Sequence, residues 1–124
     1  MALTPDPVTV VQTMWDAWHD GRMDDVVATM DPQVVWTPLT RPALSIYRGH
    51  AAIRRLRDDS INVHGSYRTE VDRVTLQPDG SVSARGLLFV VPENAGPYLK
   101  FEFEAVCFLR DGLIISIDSY ERRP

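Results

Sequence analysis

Apolar residues recur at spacings of three and four in the first third of the chain, and this periodicity predicts two helices. Asp6 and Pro7 mark the start of the first helix, because a carboxylate caps a helix well and proline suits the first helical position. Gly21 ends this helix, and its apolar stripe consists of Val8, Val11, Met14, Trp15 and Trp18. A second, shorter stripe, which stops at Asp31-Pro32, consists of Met23, Val26, Val27 and Met30.

Beyond these helices the pattern changes. Val34-Val35-Trp36 predicts a strand that closes at Pro38, an irregular loop spans residues 37–48, and a third helix follows Gly49. Alternating apolar and polar residues then predict four more strands, over residues 67–74, 82–91, 99–110 and 113–120. Asp111-Gly112 is a strong two-residue hairpin signal, and strands joined by such short connections are antiparallel.

The predicted order is therefore helix, helix, strand, helix and four strands. A chain of 124 residues suits one domain, residues 1–124. A sheet with an apolar face has to bury that face, so the helices are expected to lie together on one side of it. The predicted fold class is α+β, with three N-terminal helices over a curved antiparallel sheet.

Charge and composition exclude several partners. The formal net charge is -4 and the pI is about 5.2, so the surface lacks the basic excess that nucleic acid binding needs. No apolar run approaches the roughly 20 residues of a membrane span, and residues 1–7 lack the layout of a signal peptide. A single cysteine, Cys107, excludes an internal disulfide and indicates a reducing compartment. A cytoplasmic protein is expected.

Short motifs stand in a recognisable order over nearly the whole chain. They are Val10-Val11-Gln12, Gly21-Arg22-Met23-Asp24, Tyr47-Arg48-Gly49-His50-Ala51-Ala52-Ile53-Arg54, Phe108-Leu109-Arg110-Asp111-Gly112-Leu113-Ile114 and Tyr120-Glu121. In these motifs the chain resembles the nuclear-transport-factor-2-like superfamily, and within it the steroid Δ-isomerases and the SnoaL-like polyketide cyclases. The resemblance implies a cone-shaped, cystatin-like roll with a deep cavity between the first helix and the sheet. It also implies a homodimer formed through the outer face of the sheet.

The catalytic groups of ketosteroid isomerase are not present at the matching positions. That enzyme uses a base carboxylate with a tyrosine and a protonated aspartic acid as oxyanion donors. The tyrosine position falls on Met14, the base position on Thr37 or Pro38, and the aspartic acid position on Ala105. A thioether is no strong donor, and neither threonine nor proline is a base near neutral pH. The steroid isomerase mechanism is therefore rejected.

The family's strand register, with the alternation of side chains along a strand, predicts which residues point into the cavity. From the third of the four later strands these are Phe101, Phe103, Ala105, Cys107 and Leu109. From the other three they are Tyr67, Thr69, Val71, Arg85, Leu87, Phe89, Val91, Ile115, Ile117 and Ser119. Together with Met14, Trp18, Trp36, and His50 at the mouth, they form an aromatic-rich pocket for an apolar small molecule.

Four residues are candidates for catalysis. Arg85 can hold a carboxylate or enolate while Tyr67 donates a hydrogen bond or a proton, provided that both point inward. The alternative is that Arg85 extends to solvent and that Tyr67 buries only its ring. Glu104 and Asp118 point outward by the same alternation, and a one-residue bulge is needed to bring either of them inside.

These sequence features lead to two candidate functions, and a purely structural role is the third alternative. The three histidines lack metal-ligand spacing and no phosphate-binding glycine loop is present, so neither a metal nor a cofactor is expected. The first function is a cofactor-independent isomerase, cyclase or dehydratase that acts on an apolar, carbonyl-bearing molecule. The second is a non-catalytic protein that binds such a molecule in the same pocket. The third, a scaffolding domain, predicts a cavity closed by packed tryptophans.

Overall fold

The computed structural model of the protein describes residues 6–38, 46–64, 66–91 and 99–122. The elements are α1 (Pro7–Asp20), α2 (Met23–Ala28), β1 (Met30–Thr37), β2 (Tyr47–Arg48), α3 (Gly49–His64), β3 (Ser66–Leu76), β4 (Val82–Val91), β5 (Leu99–Arg110) and β6 (Leu113–Glu121). The α+β class is confirmed, and of the helices in the described ranges the third follows β1 and β2. Met30 opens β1, so its predicted place in the second helix is wrong.

Local sequence signals explain both ends of α1. The side chain of Asp6 accepts a hydrogen bond from the Val8 amide at 3.0 Å, and Pro7 occupies the first helical position. At the other end Gly21 adopts a φ of 75°, and the following amide of Arg22 donates to the Ala17 carbonyl at 2.9 Å. The Arg57 guanidinium from α3 donates to the carbonyl of Trp18, which fixes α3 against the end of α1.

The six strands form one curved sheet in the order β2-β1-β6-β5-β4-β3. The meander from β3 to β6 is antiparallel as predicted, and the Asp111-Gly112 turn has φ angles of 55° and 80°, which the primed hairpin turns require. The pairing of β1 with β6 is parallel, which corrects the prediction of a wholly antiparallel sheet. β6 is the last strand of the antiparallel meander. The direction of β6 is therefore fixed by its pairing with β5, and in that direction it runs parallel to β1.

One prediction of side-chain direction is confirmed and another is wrong. On β5 the residues Phe103, Ala105 and Cys107 are buried beneath the helices, as predicted. On β4 the buried apolar side chains are Val82, Ala84 and Leu88, so Arg85, Leu87 and Phe89 point to the opposite, outer face. The ladder explains this, because directly opposed residues share a face and Ala84 stands opposite Ala105. The side chains of Tyr67 and Val91 lie outside the described residues.

The register of the sheet shifts at three places, between Met30 and Val35 of β1 and at two further positions. In β3 the register shifts between Val71 and Arg73, opposite Gly86, and a Cβ on that glycine would lie 2.1 Å from the Glu70 carbonyl oxygen. A further shift lies between β5 and β6, where Phe108 pairs with Ser116 and Leu109 pairs with Ile114. Ile115 is therefore the extra residue of a bulge in β6. Ile114 and Ile117 are consequently both buried, and the predicted inward direction of Ile115 is wrong.

An aromatic cluster fills the space between α1 and the inner face of the sheet. The rings of Trp15 and Trp36 meet edge to face at 5.7 Å, Trp18 lies 4.9 Å from Trp36, and Phe103 lies 5.6 Å from Trp15. These are ring-centroid separations typical of packed aromatic pairs. All three tryptophans of the chain belong to this cluster.

Candidate functional site

A small cavity lies at the edge of the aromatic cluster. We name this space the inner cavity. Its wall is formed by Trp15, Trp36, Pro38, Leu56, Thr69, Leu88, Phe103 and Ser119. Its volume is about 20 Å³, enough for one water-sized group. Within the described part of the chain, the space is therefore far smaller than the deep pocket that the sequence predicts, because the tryptophan rings occupy it. Packed tryptophans that close the cavity are what the scaffolding alternative predicts.

Of the predicted pocket residues, four line this cavity: Trp36, Thr69, Phe103 and Ser119. The rest of the inner set is buried in the surrounding core instead: Met14, Trp18, Ala105, Cys107 and Ile117. His50 Nε2 donates to the Met30 carbonyl oxygen at 2.9 Å, and this bond ties the start of α3 to β1. Because the carbonyl can only accept, Nε2 carries the proton.

Two residues of the cavity wall carry polar atoms that have no hydrogen-bond partner among the described residues. They are Nε1 of Trp15 and Oγ1 of Thr69, and each side chain is 4% exposed. A buried polar group without a partner costs about 1–3 kcal/mol. The wall of the inner cavity is thus mostly apolar, and two of its residues carry buried polar groups that lack a hydrogen bond to any described residue.

A larger cleft lies on the other side of the same two residues. This α1–β3 cleft has a volume of about 280 Å³ and is lined by Trp15, Asp16, His19, Thr69, Glu70 and Val71. His19 Nδ1 lies 2.6 Å from the Thr69 carbonyl oxygen, which can only accept, so Nδ1 carries the proton. In the neutral ring, Nε2 is then an acceptor. Trp15 and Thr69 line both the cleft and the cavity, and we refer to these two residues as the partition.

Two of the predicted catalytic residues meet on the outer face of the sheet. Arg85 Nε lies 3.3 Å from Glu104 Oε2, and the Ser83 hydroxyl donates to the same oxygen at 2.5 Å. The bond from Ser83, followed by that from Arg85, lowers the pKa of the Glu104 carboxyl. A carboxylate stabilised in this way is a weak base near neutral pH. Since both residues lie outside the inner cavity, the predicted inward role of Arg85 is corrected.

The outer face carries its own concave surface beside this ion pair. The outer groove has a volume of about 410 Å³ and is lined by Asp72, Arg73, Arg85, Gly86, Leu87, Lys100, Glu102, Phe103 and Arg122. Asp118 also belongs to the outer face, opposite Val106, as its alternation predicts. Leu87 and Phe89 are therefore not walls of the inner cavity.

The remaining candidates have structural explanations. Burial raises the pKa of the Cys107 thiol to about 12, with the charge of Asp118 as a lesser cause, so this cysteine is an inert part of the core. No three His, Cys, Asp or Glu side chains in the described ranges are placed to hold a metal ion. None of the helices in those ranges combines the length and apolarity needed to cross a bilayer.

Sequence reasoning missed several residues of the site. Trp15 lies in the predicted apolar stripe of α1. The predicted pocket instead includes its neighbour Met14, which occupies the position of the catalytic tyrosine of ketosteroid isomerase. Leu88 was missed because the direction of β4 was reversed. Leu56 is three residues from the buried Ile53 on α3, and this helical spacing is the signal that could have identified it.

The fold and this site define the class of the protein, an α+β roll whose helices cover one face of a six-stranded sheet. The chain belongs to the SnoaL-like domain family, whose model matches residues 11–117. No curated protein matches it in sequence.

Solved structures share the fold at low sequence identity. TerC, crystallised with polyporic acid, is 18% identical with a TM-score of 0.79, over 94% of this chain and 92% of that one. Bal32a, from a soil-derived mobile gene cassette, is 17% identical with a TM-score of 0.81, over 93% of this chain and 88% of that one. A candidate polyketide cyclase from Xanthomonas campestris is 21% identical with a TM-score of 0.73, over 94% of this chain and 90% of that one. These likenesses establish the fold alone.

Proposed function

We propose that this protein binds an uncharged, largely apolar small molecule at the partition between the α1–β3 cleft and the inner cavity. The observation that carries the proposal is the pair of buried, unpartnered polar atoms on Trp15 and Thr69, which line both spaces. A protein that needed these groups only for packing would gain stability from apolar residues of the same shape. Their presence supports a role in recognition.

The volumes fit this arrangement. Ligand pockets start at about 300 Å³, and the α1–β3 cleft alone provides about 280 Å³ for the body of a small molecule. The inner cavity, at about 20 Å³, takes one further atom of the ligand. A larger ligand requires Trp15 to move, and the ring of Trp15 is held by packing rather than by a hydrogen bond of its Nε1 to any described residue.

The charges around the cleft favour an uncharged ligand. Asp16 and Glu70 line it, and the nearest cation to Glu70 is Arg68, at 3.5 Å between Nη2 and Oε1. The described wall of the inner cavity contains no charged side chain at all. A carboxylate placed there is repelled from the cleft and unpaired in the cavity, and both effects oppose its binding.

Catalysis of the isomerase, cyclase or dehydratase type is a second candidate at the same site, and His19 is the observation that favours it. Its Nε2 is the acceptor when Nδ1 carries the proton, and His19 lines the cleft, so the ring can accept a proton from a molecule bound there. The test is exchange of the methyl protons of acetophenone with deuterium, followed by NMR. Exchange catalysed by the wild type and abolished in His19→Gln supports an enzyme; equal exchange in both proteins discards it.

Binding is tested by NMR titration of the 15N-labelled protein with acetophenone and with isopropylbenzene, two uncharged probes of similar shape. We expect the indole signal of Trp15 and the amide signal of Thr69 to shift on saturation. Val71→Trp, which fills the α1–β3 cleft, should abolish the shifts, whereas Leu87→Trp, which fills the outer groove, should leave them unchanged. The proposal fails if neither probe binds, or if Leu87→Trp is the variant that blocks binding.

We also propose that the outer face pairs with a second copy of the chain. Two large apolar side chains stand exposed on it, Phe108 at 40% and Tyr120 at 54%. The outer groove on the same face carries both signs of charge, so two copies related by a two-fold axis can place Arg73 or Lys100 opposite Asp72 or Glu102. Sedimentation equilibrium should give a dimer for the wild type and a monomer for Phe108→Glu. A monomeric wild type contradicts the pairing.

A further inference from the structure

We infer that the outer groove is a second ligand site, which takes a monoanionic carboxylate with a small apolar body and holds its head group between Arg73 and Arg85. This inference goes beyond the proposed function. The face of the sheet, the lining residues and the charge of the ligand all differ from those of the α1–β3 cleft, where Asp16 and Glu70 oppose an anion.

The β3 bulge places the two arginines side by side. The ladder pairs Val71 with Gly86 and then Arg73 with Arg85, which leaves Asp72 as the extra residue. Without the bulge, Asp72 would stand opposite Arg85 as an attractive pair. With the bulge, two like charges occupy directly opposed positions on one face, where cross-strand side chains are neighbours and repel each other. The bulge therefore produces a pair of cations that an anion between them would stabilise.

The carboxylates of the described residues neutralise only one member of this pair. Arg85 Nε lies 3.3 Å from Glu104 Oε2, whereas Arg73 forms no ion pair with a described residue. The pKa of Glu104 is lowered, first by the bond from the Ser83 hydroxyl and then by Arg85, so its carboxyl is ionised near neutral pH and remains a partner for Arg85. Among the described residues, Arg73 is left without a counter-charge.

The remaining charges of the groove determine the charge of the ligand. The described lining contains four cations and two carboxylates: Arg73, Arg85, Lys100, Arg122, Asp72 and Glu102. When Glu104 is included as the partner of Arg85, four positive charges face three negative ones. One positive charge is left over, in a chain whose net charge is -4. A single carboxylate balances it, and its two oxygens match the parallel N–H donors of a guanidinium.

The groove also has room and apolar surface for the body of the ligand. Its volume of about 410 Å³ lies within the range of about 300–1,000 Å³ that is usual for ligand pockets. Leu87 is half-buried and shares the face of Arg85, roughly 7 Å further along the same strand. A flat hydrocarbon ring can lie against Leu87 while its carboxylate reaches the arginine pair, so benzoate is a suitable probe.

The test titrates the 15N-labelled protein with three probes at low ionic strength. Benzoate carries both the charge and the ring, acetophenone has nearly the same shape without the charge, and acetate has the charge without the ring. The readout is the shift of the Gly86 and Leu87 amide signals and of the Arg85 Nε signal. We expect benzoate to shift all three with a dissociation constant on the order of 1 mM. Acetate should bind about tenfold more weakly, and acetophenone should leave these signals in place.

Arg73→Gln is the decisive variant, because it removes one arginine without breaking an ion pair among the described residues. Benzoate should bind to it at least about fivefold more weakly than to the wild type. Arg110→Gln is the matched control: it removes the same charge from an exposed arginine of β5 outside the groove lining, and the affinity should stay within about twofold of wild type. The urea midpoint of Arg73→Gln should equal or exceed that of the wild type, because a like-charge pair is removed.

The outer groove shares its face with the proposed pairing of two copies, so the titration is repeated with Phe108→Glu. Both arginines belong to one chain, and the pairing of β3 with β4 that opposes them does not involve Phe108. Benzoate should therefore bind to Phe108→Glu within about threefold of its affinity for the wild type. Loss of binding in this variant would show that the site needs a second copy, and would overturn its assignment to a single chain.

Four further results overturn the inference. They are the absence of benzoate-dependent shifts at the groove, equal affinity in wild type and Arg73→Gln, a lower urea midpoint for Arg73→Gln than for the wild type, and benzoate that shifts the Trp15 indole signal instead. The proposed function fails separately. If acetophenone does not bind at the cleft while benzoate binds at the groove, the proposed function is wrong and this inference stands; if only acetophenone binds, the reverse holds.

Discussion

The two faces of the sheet treat polar groups in opposite ways. On the inner face, beneath α1 and α3, the side chains are apolar and close-packed, yet Trp15 and Thr69 carry polar atoms that no described residue satisfies. On the outer face the polar groups are paired: the buried Ser83 and the partly exposed Arg85 both contact Glu104. Unpaired groups are inexpensive in water and costly inside, so the arrangement on the inner face calls for an explanation and the outer one does not.

This contrast also indicates which face of the sheet contributes more to the stability of the fold. Partly exposed ion pairs such as Arg85–Glu104 contribute little to stability. Buried apolar residues on β4 and β5 contribute several kcal/mol each when they are well packed. The inner face should therefore be sensitive to the loss or addition of single atoms, and the outer face should tolerate both.

The largest effect is expected at Gly86, whose backbone touches the β3 bulge. Gly86→Ala places a Cβ 2.1 Å from the Glu70 carbonyl oxygen, so one of the two strands has to shift. We expect the free energy of unfolding to fall by about 3 kcal/mol or more. Urea denaturation measures it. Gly80→Ala is the control, since its φ of 90° costs an alanine about 1 kcal/mol but its Cβ meets no atom. Equal losses in both variants would show that the close approach is unimportant.

Leu87 and Leu88 give the most direct comparison of the two faces, because they are neighbours on one strand. Leu88 is 2% exposed on the inner face, and Leu88→Ala should lower the free energy of unfolding by about 2–3 kcal/mol. Leu87 is half-buried on the outer face, and Leu87→Ala should cost less than about 1 kcal/mol. The same denaturation measurement applies to both. A larger loss for Leu87→Ala than for Leu88→Ala would support an inward direction for Leu87 instead.

The mistake over β4 has a physical origin. Apolar residues stand at both parities of this strand: Leu87 and Phe89 on one face, Ala84 and Leu88 on the other. Alternation alone cannot choose between them. The choice depends on Gly86, which has to face inward because the β3 bulge leaves no room for a side chain there. A bulge arises from the pairing of two strands, and it produces no periodic pattern in the sequence of either strand.

Elements with strong local signals were predictable. The start of α1 at Asp6, its end at Gly21 and the turn at Asp111-Gly112 depend on dihedral preferences and caps within a few residues. The site was only partly predictable. Thr69 was identified by alternation, but Trp15 became part of it because three tryptophans pack together and close the predicted cavity. How completely side chains fill a space is a property of three-dimensional packing and not of sequence pattern.

A smaller effect, dependent on pH, is expected from Cys107 on the inner face. Burial raises the pKa of its thiol from 9.0 to about 12. The folded protein then keeps a proton that the unfolded chain loses, so stability is complete below pH 9 and falls as the pH rises towards 12. Between about pH 8 and 10 the advantage of the wild type over Cys107→Ala should shrink by about 1.4 kcal/mol in urea denaturation. A difference that does not change with pH contradicts the buried thiol.

The smallest effect is expected at Ser83 on the outer face, and its dependence on pH has the opposite sign. The Ser83 hydroxyl and Arg85 lower the pKa of Glu104, so their stabilisation is present above the ordinary pKa of a glutamic acid and is lost as the pH falls through the lowered one. Ser83→Ala should cost about 1 kcal/mol or less at pH 7, because water also reaches the carboxylate, and about nothing near pH 2. Thr75→Ala, on the exposed residue opposite Ser83, should have no effect at either pH. If Ser83→Ala costs the same at both pH values, its role is packing in the sheet, and the outer face then depends on burial as the inner face does.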